Sequence, residues 1–226
     1  MRLGFTTVIL AAALFIEAQT GAADFALKTA DKPAPGEFSD SIRAALPSQA
    51  IQLMQDGKPV LEIWFRWEVP LKAKPASANE ALSAIAETTF MGVISVAGTS
   101  LRDYKDNEIP KGSYTARFGL QPKDGDHLGT AEFDFFLVLI AAENDKELNG
   151  LDKFKPMVKA SGKSTASGHP VVVSLRPASG EGTIPGLTGP AAEHKAIRVK
   201  LAGKTGSGDK ADLVFDLVYQ GHGHIQ

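Results

Sequence analysis

The chain contains no cysteine. That excludes disulfide stapling, thiol catalysis, thiolate-ligated metals and a lipoprotein anchor. An excess of one charge is lacking too: 24 Lys and Arg against 26 Asp and Glu leave a net charge of −2. This gives no electrostatic ground for a nucleic-acid or anionic-membrane partner. Basic stretches such as Lys153 to Lys163 alternate with apolar and small residues and read as a solvated face. Past residue 23 there is no long apolar run. The longest, Phe135 to Ala142, has 8 residues and reads as a buried strand, against the roughly 20 that a membrane helix needs. Catalytic signatures are missing as well: no Gly-x-Ser-x-Gly elbow and no His-Glu-x-x-His. Ser161-Gly162-Lys163-Ser164 has the end of a phosphate-binding loop without its upstream glycine. Glu132 and Asp134 fall on one face of a strand, an ordinary solvent-facing pair unless a cleft sets two carboxyls against each other.

Residues 1–23 have the order of a secretory leader. Arg2 precedes an apolar run from Leu3 to Ile16, and Gly21-Ala22-Ala23 offers a signal-peptidase site. The expectation is an exported protein, periplasmic or extracellular, with no membrane span once the leader is cleaved. Residues 24–226 then form a single domain, whose residues 24–45 read as a loose lead-in.

Period-two alternation runs through the remainder. Ala50 to Gln55 and Pro59 to Val69 flank Asp56-Gly57, a hairpin signal. In the second strand Leu61, Ile63, Phe65, Trp67 and Val69 share one face, and Glu62, Trp64, Arg66 and Glu68 the other. Further strands are read at Phe90 to Ala97, Ser113 to Gln121, Phe133 to Ala141 and Pro170 to Arg176, then around Ile197 to Leu201 and Ala211 to Tyr219. Short helical turns are expected at Glu80 to Glu87 and Leu151 to Lys159. About eight strands with no long helix predict an all-β protein, an antiparallel β-sandwich of immunoglobulin-like or transthyretin-like type. Its expected core is Phe65, Trp67, Tyr114, Phe118, Phe135, Leu137, Val173, Val199, Leu213, Phe215 and Leu217.

The stretch from Ile109 to Gly129 contains Gly112-Ser113-Tyr114-Thr115-Ala116-Arg117, then Leu120-Gln121-Pro122-Lys123-Asp124-Gly125-Asp126-His127-Leu128-Gly129. It resembles a family of secreted bacterial proteins with a G-x-Y-T-x-R-x-x-L-Q-P-x-D-G-x-H-x-G block, an apolar strand after it, and an S-G-x-H-P stretch downstream. Ser167-Gly168-His169-Pro170 is similar to that last element but shorter. The resemblance covers about half of the chain beyond the leader. It implies export and a compact domain, and it carries no catalytic residue over. The Pro-x-Gly-x-Tyr turn is also similar to transthyretin-like and immunoglobulin-like modules, in which Gly112 makes the turn and Tyr114 plugs the core with its hydroxyl towards solvent.

Candidate site residues fall in three groups. Gln121, Asp124, Asp126 and His127 crowd a polar turn, where carboxylates around a glycine can present oxygens to calcium or simply shape the turn. His127 and His169, with Asp126, would hold zinc or copper if their loops met at one end of the fold. His222 and His224 form a second, tail-borne pair. Trp64 with Arg66, on the solvent-facing side of its strand, would stack a sugar ring or grip a partner, unless residues 80–87 cover it. The leading functional expectation is a non-catalytic exported protein binding a ligand, a polysaccharide or an envelope protein. A metal-binding protein or metal-dependent enzyme using the loop histidines, with zinc, copper or calcium, is the alternative. A structural envelope component is the third.

Overall fold

The computed structural model describes residues 25–98, 101–102, 108–122, 134–178, 180–191 and 194–221. Among the described residues eleven strands form: β1 (Phe25–Asp31), β2 (Gln49–Gln55), β3 (Lys58–Phe65), β4 (Glu68–Leu71), β5 (Phe90–Val96), β6 (Gly112–Leu120), β7 (Phe135–Ala141), β8 (Val171–Pro177), β9 (Gly186–Ala191), β10 (His194–Thr205) and β11 (Lys210–Gln220). Among the same residues two short α-helices interrupt them, α1 (Asp40–Ala44) and α2 (Phe154–Gly162). The protein is therefore all-β, as its alternation predicts.

The strands join in one sheet, ordered β1-β2-β3-β5-β6-β7-β8-β11-β10-β4, with β9 also on β10. Each neighbouring pair is antiparallel except β10 with β4. The sheet curls on itself. Phe65 on β3 meets Phe215 on β11 edge to face, with ring centroids 6.0 Å apart, although four strands separate β3 from β11 along the sheet. The main core fills the inside of this curl and draws on β2 to β8, β10 and β11. Of the expected core, Phe118, Leu137, Leu213 and Phe215 are fully buried, and Phe135 is half-buried, stacked on Phe118 at 6.1 Å.

Local sequence explains several elements. Asp56 (φ 51°) and Gly57 (φ 76°) both take left-handed backbone, as a tight hairpin between twisted strands demands. Ser39 caps α1, its hydroxyl accepting from the Ile42 N–H. Pro156 sits in the first turn of α2, where no intrahelical donor is lost. Gly92 is required by close approach: a Cβ there would stand 2.3 Å from the Trp64 carbonyl oxygen on β3.

Two patches of the outer surface are covered as well. Ala34, Phe38, Ile42 and Leu46, around α1, pack with Ala50, Trp64, Phe90, Val93 and Ala142 in a second cluster. α2 lays Met157 and Ala160 on Phe136, Val138 and Ile140 of β7. β3 and β7 are thus buried on both faces.

The lead-in expectation fails here. Phe25–Asp31 pairs with β2 over its full length, and residues 34–46 supply the outer cover. Residues 80–87 do not lie over Trp64. They form two 3₁₀ turns, Ala78–Glu80 and Leu82–Ala84, whose Leu82, Ala84 and Ile85 join the main core. β4 and β9 are additional strands that alternation did not separate. Tyr114 does not send its hydroxyl to solvent: it is buried, and the hydroxyl donates to the Pro110 carbonyl at 2.8 Å.

Candidate functional site

Alternation puts Trp67 inside with Phe65 and Val69, and Trp64 outside. The structure exchanges them. Trp64 is fully buried while Trp67 is 64% exposed. β3 ends at Phe65 and β4 starts at Glu68, yet β3 and β4 belong to distant parts of the sheet. Arg66 and Trp67 are the corner by which the chain crosses between them. The chain bends at Trp67 between the two strands, and the pleat does not continue through the bend, so the period-two rule breaks there. Phe65 and Val69 still point inward on either side of it.

The corner is held by backbone and arginine contacts. The Trp67 N–H donates to the Ala45 carbonyl at 3.1 Å, and the Arg66 N–H to the Met91 carbonyl at 2.9 Å. The Arg66 guanidinium donates to the Phe90 carbonyl at 3.2 Å. Burial holds its pKa below the ordinary arginine value, and the nearby Glu68 carboxylate opposes that shift. Arg66 is half-buried, so it fixes the corner, while Trp67 and Glu68 face solvent. A flat indole can stack on an apolar ring face, and a carboxylate beside it can accept hydrogen bonds from that ring's hydroxyls.

The polar-turn candidates separate. Asp124, Asp126 and His127 lie outside the described residues, as do His222 and His224. Gln121 is half-buried at the end of β6, its N–H donating to the Asp134 carbonyl at 2.8 Å. His169 is exposed, and its carbonyl accepts from the Thr165 hydroxyl at 2.6 Å. Leu120, Phe135 and Leu175 stand in one row across β6, β7 and β8, whereas Val171 stands in the row of Leu139 and Ala116. The 121–134 connection therefore roots at one end of these strands and the 163–170 loop at the other. Counting rows at about 3.3 Å per residue, Gln121 and His169 are about 23 Å apart along the strand axis. Among the described residues, no group of three or more His, Cys, Asp or Glu is placed to hold a metal ion.

Two buried ion pairs, invisible in the sequence, are the most concentrated polar chemistry in the described structure. Arg117 on β6 forks onto Asp145, Nε to Oδ2 at 2.7 Å and Nη2 to Oδ1 at 2.9 Å, with both side chains 1% exposed. Its remaining donors reach the carbonyls of Thr88, Leu148 and Glu147, and the Thr115 hydroxyl gives Asp145 a further hydrogen bond at 2.6 Å. All five guanidinium donors are thereby used. Arg198 on β10 forks onto Asp216 at 2.8 and 3.0 Å and donates to the Gly180 carbonyl. The hydrogen bond with Asp216 raises its pKa further, so the arginine stays charged. Each pair ties a connection to the outer surface of the sheet. The saturated guanidinium of Arg117 has no donor left for a substrate, so that pair holds structure.

No family model, curated protein or solved structure matches this chain. The functional reading therefore rests on the chain's own residues. No described helix is long and apolar enough to cross a membrane.

Proposed function

We propose that the chain is an exported, non-catalytic β protein that binds a polysaccharide or another envelope component through the corner at Trp67. The observation that carries this reading is the exposure of that one indole, 64%, between Phe65 and Val69, which are buried. Exposing so large an apolar side chain forfeits about 2–3 kcal/mol of burial, and a partner that covers it recovers that energy. Arg66 and the Ala45 carbonyl hold the corner in place without ligand, so little ordering entropy remains to be lost on binding.

Export is supported by the order of residues 1–23, a charge, an apolar run and small residues. The first strand begins at Phe25, so cleavage after Ala23 would leave the sheet whole. The resemblance to secreted bacterial proteins, carried by residues 109–129 and 167–170, points the same way. The metal reading has less support, because the loops that carry His127 and His169 root at opposite ends of β6 to β8.

A glycan array probed with the mature protein and with Trp67→Ala tests the proposal. The expected result is binding to a subset of polysaccharides by the parent protein, with loss of at least about tenfold in affinity in the variant, the equivalent of about 1.4 kcal/mol. Equal binding by both proteins, at equal thermal stability, overturns it.

A further inference from the structure

We propose that the groove where β1, β9, β10 and β11 meet binds a small amphipathic acid, its carboxylate on Lys195 and its apolar body against Leu187. The groove holds about 300 Å³ and is lined by Phe25, Leu187, Thr188, Gly189, Lys195 and Tyr219. That volume stands at the lower end of the range for small-molecule sites. Its apolar wall is unusual for its place in the fold. Leu187 pairs with Ile197, which is fully buried in the core, so Leu187 faces into the curl, yet it is 41% exposed. Phe25 is half-buried, and its ring meets Tyr219 edge to face at 5.2 Å. An apolar tail laid here covers the leucine and the open part of the Phe25 ring.

The polar side chains of the lining are donors that lack acceptors. Lys195 is half-buried, and its ammonium lies 5.1 Å from the Phe25 centroid. Among the described residues it has no carboxylate within ion-pair distance. Tyr219 is 4% exposed, and its phenol makes no hydrogen bond to a described residue. The equally buried Tyr114 hydroxyl, by contrast, is paired with the Pro110 carbonyl. The lining carries no other charge. Around it the charges balance: Asp56 with Lys58 in the hairpin beside Gln55, the partner of Phe25, then Lys28 with Asp31 along β1, and Glu62 bound to Lys32. His194, next to Lys195, is buried against Gly221. An ammonium that has lost part of its water and lacks a counter-ion is strengthened by a carboxylate brought to it. A free phenol O–H can donate to the same group. The groove therefore selects a carboxylate over an alcohol and rejects an amine.

The groove is separate from the Trp67 corner. Glu68, next to Trp67, pairs with Ala202, which lies about 23 Å along β10 from Lys195 at about 3.3 Å per residue. Either reading can therefore fail while the other stands. The probes are octanoate, octan-1-ol, octylammonium and acetate, titrated into the full mature protein by isothermal calorimetry, with backbone amide shifts followed by NMR. Octanoate is expected to bind at least about tenfold more tightly than the other three, with its shifts concentrated at Leu187, Gly189 and Lys195. Lys195→Gln is expected to bring octanoate down to the affinity of octanol and to leave octanol unchanged. Leu187→Glu, at an exposed position, sets a carboxylate against the incoming one and is expected to abolish octanoate binding at an unchanged thermal midpoint. Trp67→Ala is expected to change neither. Octanol binding as tightly as octanoate overturns the proposal. So do octanoate shifts centred away from the groove, a loss of octanoate binding in Trp67→Ala, full octanoate binding in Lys195→Gln or in Leu187→Glu, and no binding at millimolar octanoate.

Discussion

The indole Nε1–H of Trp64 donates to the Lys32 carbonyl at 2.7 Å, and the ammonium of the same lysine is bound by Glu62 at 2.6 and 2.8 Å. Gln52 completes the group with a 2.6 Å hydrogen bond to Glu62. The outer face of β3 is thus joined to Lys32, the residue that follows β1, by one hydrogen bond to its carbonyl and two from its ammonium. Phe38 and Ile42 then close over the indole.

Removing that indole leaves both a cavity and an unpaired carbonyl. Trp64→Ala is expected to cost about 3–5 kcal/mol, seen as a lower urea midpoint with an unchanged slope. Trp64→Phe keeps most of the volume and loses the donor, and is expected to cost distinctly less. If both variants unfold at the parent midpoint, the cover over β3 contributes nothing.

Arg117 and Asp145 give a sharper test, because a buried pair is costly to break and cheap to replace. Either single change, Arg117→Met or Asp145→Leu, strands the other charge in an apolar setting and is expected to cost about 3–5 kcal/mol. The double variant is expected to be less destabilised than the two singles combined, and a double-mutant cycle by denaturant unfolding measures the difference. Amide exchange in the 142–150 connection should accelerate in each single variant, since the guanidinium holds the Glu147 and Leu148 carbonyls. Strict additivity would show that Arg117 and Asp145 are not coupled.

What was legible in the chain follows from what is local. Asp56-Gly57 announces its hairpin, because two left-handed residues are needed where two twisted strands meet. Phe118, Leu137 and Phe215 announce the core, because each lies mid-strand where the pleat is undisturbed. Trp67 misleads because the alternation on both sides of it is intact, and only the crossing from β3 to β4 reveals the corner. Trp64 looks wet because its cover is supplied by residues 34–46, and no local signal tells a loose lead-in from a packed one. Arg117 and Arg198 look like surface charges because their carboxylates lie 28 and 18 residues away. The polar turn was readable as a cluster, but residue spacing carries no information on which end of the sheet another loop will occupy.

Tyr219 predicts an alkaline limit to stability. Burial pushes its phenol up to about 12, and Tyr114 is shifted in the same direction for the same reason. In the unfolded chain a tyrosine ionises near 10. Between those values the unfolded state has lost its proton and the folded state retains it, so unfolding is favoured as pH rises. The stabilisation is complete below about pH 10 and is lost progressively towards pH 12. Tyr219→Phe is expected to flatten part of this fall, measured as the unfolding midpoint across that range, and absorbance at the tyrosinate band should show late titration in the parent. A variant with the parent's full alkaline slope would show that this phenol is hydrated.

Trp67 and Trp64 are the only tryptophans in the chain, so fluorescence separates them cleanly. With one indole sealed and one 64% exposed, the parent should show two populations towards acrylamide, one quenched readily and one protected. Trp67→Phe should abolish the readily quenched population and shift the emission to the blue, and Trp64→Phe should do the reverse. Stability should move by no more than about 0.5 kcal/mol in Trp67→Ala, as for a surface position that fills no cavity. That near-neutrality is what makes the corner usable for recognition: its side chain can be changed without disturbing the crossing, whose backbone is held by Ala45 and Met91 and by Arg66 on the Phe90 carbonyl. A polysaccharide that binds there should protect the exposed indole from acrylamide and leave Trp64 as it was. A ligand that protects neither indole would have to bind elsewhere.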